Sequence, residues 1–160
     1  MTVRPATESD IPRLVQLLLQ VGQVHHQIRP DIFTSGTLKY DQSSLLELLQ
    51  DPTRPIFVAE LDDAVQGYCF CVHRIYEGSS VSTRRSELYI DDLCVDESYR
   101  GQGVSQALYN HISDYAVKQG FDFITLNVWC GNRRAMAFYE KIGLTPRNIT
   151  MEKKLGGGEA

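Results

Sequence analysis

The stretch from Glu87 to Val128 constrains the fold most. Glu87–Val95 has the composition of a strand. It is followed by the loop Arg100–Gly103, by a helix marked by Val104, Leu108, Ile112 and Tyr115 that ends near Gly120, and by a second strand, Phe123–Val128. A strand–helix–strand crossover brings the second strand back parallel to the first. Upstream, Ile56–Leu61 and Val65–Ile75 are β-rich runs separated by Asp62-Asp63-Ala64, a spacing that makes them an antiparallel hairpin. One sheet has to hold both connections. The expected class is therefore α/β (α+β), a mixed, mostly antiparallel sheet with helices on its faces.

The remaining elements fit around that sheet. Val3–Ala6 reads as a first strand, and the capping cluster Thr7-Glu8-Ser9-Asp10 precedes Ile11-Pro12. Ile11, Leu14, Val15, Leu18 and Val21 then predict a helix as far as Gly22. Val24–Tyr40 has no clear period and contains Pro30 and Gly36, so a long ordered loop or a broken helix is expected. Ser43–Gln50 predicts a short helix, Gly78–Arg85 a polar loop, Asn132–Ile142 a helix closed by Gly143, and Ile149–Lys154 a last strand. Within Glu87–Val95, Leu88 and Ile90 share one parity and Leu93 and Val95 the other. Either both strand faces are buried, or an extra residue is inserted near Asp91-Asp92 as a β-bulge.

Composition narrows the function. A chain of 160 residues, 42% hydrophobic and 22% charged, is ordinary globular material for one domain, here 1–155, with 156–160 expected as a disordered tail. A net charge of −4 provides no broad basic surface, which argues against nucleic acid as a partner and suits a cationic substrate. Cys69, Cys71, Cys94 and Cys130 lack paired C-x-x-C spacing and read as reduced core residues, with no metal expected. No apolar run approaches the ~18–20 residues that span a bilayer, and no leader-like segment opens the chain, so a cytoplasmic protein without membrane contact is expected. The reading allows a homodimer.

Tyr99-Arg100-Gly101-Gln102-Gly103-Val104-Ser105 lies between a strand and a helix, where the first helical N–H groups are unpaired and the helix dipole is positive. Glycines there allow close approach of an anion, and Arg100 adds charge, a combination that suits a pyrophosphate. A tight turn that needs glycines is the plain alternative. Neither a P-loop lysine nor a full G-x-G-x-x-G is present.

Leu93 to Val104 resembles motif A of the GNAT acetyltransferases, R/Q-x-x-G-x-G/A, and Asn132, Ala135 and Phe138–Leu144 resemble their motif B in the same order. Ser105 departs from the usual Gly or Ala, and the resemblance is close only over Glu87 to Leu144. It implies a GNAT-like acyl-CoA N-acyltransferase fold with a splayed fourth strand. It also implies acetyl-CoA as co-substrate and transfer of the acetyl group to a primary amine by direct attack. Leu93, Cys94 and Val95 would bind the pantetheine arm through their backbone, with the Cys94 N–H polarising the thioester carbonyl. Arg100, Gly101, Gln102, Gly103, Val104 and Ser105 would hold the pyrophosphate, and Asn132, with Ala135 beside it, the cofactor arm. Tyr139 matches the family's usual general acid; without the motif it would read as a core aromatic.

The attacking amine also needs a base. Asp91 and Asp92, in Ile90-Asp91-Asp92-Leu93, are similar to the acidic pair of polyamine acetyltransferases, and mutual repulsion could raise one pKa into a useful range. A cap, a turn or a salt bridge is the alternative role for either. Glu87 is a further candidate. His25, His26 and Phe33, with Asp91, are candidates for the amine pocket, and Cys94 or Cys130 for an acyl relay. A non-catalytic acyl-CoA-binding module and a nucleotide phosphate site are the rival readings.

Overall fold

The computed structural model describes residues 1–156, and the chain divides into two compact units, Met1–Asn127 and Val128–Ala160. Most of the expected tail, 157–160, lies outside the described residues.

The first unit carries one five-stranded sheet in sequence order. Its strands are β1 (Thr2–Pro5), β2 (Ile56–Leu61), β3 (Ala64–Tyr76), β4 (Arg85–Val95) and β5 (Phe123–Leu126). Neighbours from β1 to β4 are antiparallel, and the β4–β5 pair is parallel. Both connections read from the sequence are present: the β2–β3 hairpin turns on Asp62 and Asp63, each at positive φ, and α3 (Val104–Gln119) carries the crossover to β5.

Alternate strand positions feed two cores, one on each face of the sheet. Val58, Tyr68, Phe70 and Cys94 pack with Leu14, Leu17 and Leu18 of α1 (Ile11–Ile28) and Leu45 of α2 (Gln42–Leu49). Phe57, Cys69, Cys71, Leu88, Ile90 and Val95 pack with Val104, Leu108 and Ile112 of α3.

Helix α1 passes through Gly22 and ends at Ile28, so His25 and His26 lie on its last turn and the loop starts only at Arg29. Gly22 therefore does not stop the helix. A Cβ there would come within 3.2 Å of the Thr37 carbonyl oxygen, and the glycine lets the 29–41 segment lie against the helix.

β4 contains the inserted residue. Phe70 pairs with Asp92 and Cys71 with Ile90, which leaves Asp91 as the extra residue of a β-bulge. The ladder with β5 stops at its fourth pair, Ile90↔Leu126, while β4 runs on to Val95 beside β3. That divergence is the expected splay.

In the second unit, α4 spans Arg133–Lys141 with Asn132 as its N-cap. No strand forms at Ile149–Lys154 among the described residues. Ile149 and Met151, the apolar residues of that segment, are 75% and 86% exposed. An alternating pattern marks a strand only where a core covers one face and a neighbour completes the ladder, and the sheet ends at β5.

Candidate active site

The bulge decides how the acidic pair sits. On a regular strand Asp91 and Asp92 would face opposite ways, but here both reach hydroxyls of the core under α1 and α2. Tyr68 Oη donates to Asp92 Oδ2 at 3.1 Å, and Tyr40 Oη to Asp91 Oδ2 at 2.6 Å. Phe70 lies between the two tyrosines, 5.4 Å from the Tyr40 ring and 4.9 Å from the Tyr68 ring.

The two carboxyls are driven apart in acidity. Burial pushes Asp92 up to about 6, against the opposing effects of the Lys39 charge and the Tyr68 hydrogen bond. Asp91 is also partly desolvated, yet the hydrogen bonds from Tyr40 and Lys39 outweigh that and hold it below the ordinary carboxylate range. Lys39 Nζ lies 2.9 Å from Asp91 Oδ2 and 3.2 Å from the Asp91 carbonyl oxygen. Arg54 donates to Tyr40 Oη at 3.1 Å. Asp91 is thus a fixed anion, and Asp92 a group that titrates close to neutrality.

The other sequence candidates on this unit have structural partners. Glu87 is buried, accepting from Arg85 at 3.0 Å and from Thr125 of β5 at 3.1 Å. His26 Nδ1 donates to the Phe33 carbonyl oxygen at 2.7 Å, and the His25 ring lies 5.1 Å from the Phe33 ring. These contacts tie the 29–41 segment to the end of α1. Burial and the Lys39 charge lower the His25 pKa. Cys94 Sγ donates to the Leu17 carbonyl oxygen at 3.5 Å, and burial pushes its thiol up to about 12. Cys130, in the second unit, is exposed.

Backbone donors follow from the strand period. Asp96 N–H donates to Gln66 O on the β3 side. Counting back by two, the Cys94 N–H also turns toward β3, and the N–H groups of Leu93 and Val95 turn to the side that β5 has left. The Cys94 N–H, given the donor role from sequence, is thus turned into the sheet, and the Leu93 N–H on the other side donates to the Asp92 carboxyl.

Beyond β4 comes a 3-10 turn, Glu97–Tyr99, capped by Asp96, whose side chain accepts from Ser98 N–H. Arg13 and Gln20 of α1 hold the same carboxylate at 2.7 and 3.1 Å. That anchor fixes the start of the Gly-rich turn. Gly101 and Gly103 both have positive φ, 77° and 84°, with nothing within 4 Å of where a Cβ would stand. No side chain caps α3. Its first N–H groups, with Val104 and Ser105 leading and Arg100 just upstream, fit a phosphate group.

A profile of the Acetyltransferase (GNAT) family matches residues 23–144. The chain belongs to the GNAT acetyltransferase family. It is 26% identical over 151 residues to the thialysine N-epsilon-acetyltransferase of Bos taurus, spanning 88% of this chain and 82% of that one. A solved mutant of the BH1408 protein from Bacillus halodurans matches with a TM-score of 0.93 at 30% identity, over 97% of this chain and 99% of that one. The acetyltransferase from Vibrio fischeri matches with a TM-score of 0.66 at 29% identity, over 81% and 97%.

The GNAT motif B residues lie in the second unit. Asn132 Oδ1 accepts from Ala135 N–H at 3.2 Å and caps α4. Tyr139 is half-buried, its ring 5.4 Å from that of Phe138.

Sequence reasoning missed Lys39, Tyr40, Tyr68 and the Arg13–Asp96 anchor. Each acts across 24 to 83 residues of chain, and no local spacing announces such a pair.

Proposed function

We propose that this protein is an acetyl-CoA-dependent N-acetyltransferase that acetylates a primary amine by direct attack, with Asp92 as general base. The observation that carries the reading is the β4 bulge just past the last β4–β5 pair, where Asp91 and Asp92 both meet tyrosine hydroxyls and Asp92 is pushed up to about 6. Acetyl-CoA, when bound, supplies an activated acyl thioester. The uncapped start of α3, with Arg100, suits its phosphates, and the N–H of Val95, with that of Leu93 shared with Asp92, suits its arm and its carbonyl.

An alkylammonium with a pKa near 10.4 is almost wholly charged at neutral pH, so the attacking amine must lose a proton. Asp92 is largely ionised above pH 6 and can take it, directly or through water. Asp91 stays anionic and attracts the cation. Tyr139 holds the family's acid position and serves the departing thiolate. A thiol's reference pKa near 8.5 lies below a phenol's near 10, so it acts by hydrogen bonding unless the site tunes both. Cys94, kept as a thiol, supports direct transfer rather than an acyl relay.

The proposed acetyltransferase domain is 1–155, with no metal in the chemistry, and three buried free thiols support a cytoplasmic location. The name of the bovine relative puts a lysine-like amino acid first among acceptors, ahead of polyamines, aminoglycosides, protein lysines and protein N-termini. Release of free CoA across an amine panel tests the reading. Turnover with one acceptor class supports it, and CoA binding without turnover on any amine points to a binding module instead.

A further inference from the structure

Among the described residues, Lys39 is the cation whose side chain meets the acidic pair directly. Its Nζ is bonded to the Asp91 carboxylate and to the Asp91 carbonyl oxygen, at the point where β4 leaves β5. Its charge is also felt by Asp92. The Lys39 side chain is 45% exposed. The arrangement sets a primary alkylamine of the chain itself against Asp91, the residue next to Asp92, the base of the proposed reaction.

We infer that Lys39 is a self-acetylation site, and that its modification tunes the enzyme. The inference rests on the acetyltransferase reading above. Lys39 Nζ, once it has lost a proton to solvent by way of Asp92, attacks the acetyl carbonyl carbon. An N–C bond forms, the C–S bond breaks, and the sulfur leaves as the CoA thiol after taking up a proton. The products are N-acetyl-lysine, CoA and one proton. Acetylation removes the Lys39 charge and with it the ion pair to Asp91.

The effect on Asp92 has a definite sign. The groups acting on it include Tyr68 and Cys69 from β3, Asp91, Cys94 and the Leu93 N–H from β4, and Lys39 from the 29–41 segment. Lys39 is the positive one among them, so its neutralisation makes the Asp92 carboxylate harder to ionise. The acid limb of the rate profile then moves to higher pH. A surplus of acetyl donor over acceptor would thereby restrain the enzyme at neutral pH.

The test is to incubate the full chain with isotope-labelled acetyl-CoA and no amine, and to map the label by peptide mass spectrometry. The expected result is label concentrated on Lys39, with a first-order rate constant that does not depend on protein concentration. Asp92→Asn should slow it at least tenfold. Label spread over exposed lysines such as Lys118 and Lys153, at equal rates in Asp92→Asn, would be uncatalysed acetylation and would overturn the proposal.

The thermal shift by CoA and the amine-panel turnover are measured on the same sample. If both are intact and Lys39 stays unlabelled, the inference fails alone. If both are absent, the acetyltransferase reading fails and takes the inference with it. Lys39→Gln should show the raised acid limb without incubation, and Lys39→Arg, which keeps the charge, should show no shift before or after it. An acid limb unmoved in Lys39→Gln would overturn the regulatory half.

Discussion

Tyr68 reaches diagonally across the β3–β4 ladder to donate its hydroxyl to Asp92 at 3.1 Å, although its register partner is Cys94. The contact gives a fully buried phenol a partner and leaves Asp92 a buried carboxyl whose ionisation is costly.

That cost is measurable as stability. The Asp92 pKa of about 6 lies above the ordinary 3.8, so the folded state binds the extra proton between the two values. Stability contributed by Asp92 is full below about pH 4 and is lost as pH rises through about 6. Asp92→Asn removes the penalty and keeps an acceptor for Tyr68, and should gain on the order of 1–3 kcal/mol at pH 8 and nothing at pH 4. Denaturant melts at both pH values check this; an equal change at the two would mean that Asp92 is not titrating there.

Asp91→Asn acts in the opposite direction to Lys39→Gln. It removes a neighbouring negative charge and leaves Lys39 to act on Asp92 alone, so the Asp92 pKa falls and the acid limb moves to lower pH. Tyr40 and Lys39 lose their charged partner, and the melting temperature should drop. A profile that moves upward would contradict this charge arrangement.

Gly103→Asp tests the phosphate site. A Cβ at this position meets nothing within 4 Å, and aspartate tolerates positive φ better than most residues. The fold should survive with a loss of about 1–2 kcal/mol, while CoA binding, read by thermal shift, should vanish. Binding equal to the parent's would put the phosphates elsewhere.

Tyr139→Phe keeps the ring packed beside Phe138 and removes only the hydroxyl. Melting temperature and CoA binding should change little and kcat should fall, with partial recovery on an acyl donor that has a more acidic thiol. Full activity in Tyr139→Phe, with lost stability only in Tyr139→Ala, would make Tyr139 a packing residue.

Much of this was legible in the chain because the signals are local. The parity change between Ile90 and Leu93 located the bulge, and the Asp62-Asp63 spacing located the hairpin. Gly101 and Gly103 marked a turn whose positive φ angles demand glycine. What failed was also local reasoning. Gly22 looked like a helix stop, but its missing side chain makes room for Thr37. The last strand expected at Ile149–Lys154 does not form, and its apolar residues Ile149 and Met151 are exposed. The choice between Asp91 and Asp92 was not readable at all. It depends on Tyr40, Lys39 and Tyr68, which arrive from 24 to 52 residues away.

The most direct test of the central claim is the pH dependence of kcat/KM for the parent and Asp92→Asn on the best acceptor from the amine panel. The account predicts an acid limb near pH 6 in the parent, and a loss of ~10²–10⁴-fold in Asp92→Asn with that limb gone and CoA affinity unchanged. An Asp92→Asn enzyme that keeps both the rate and the limb of the parent would contradict it.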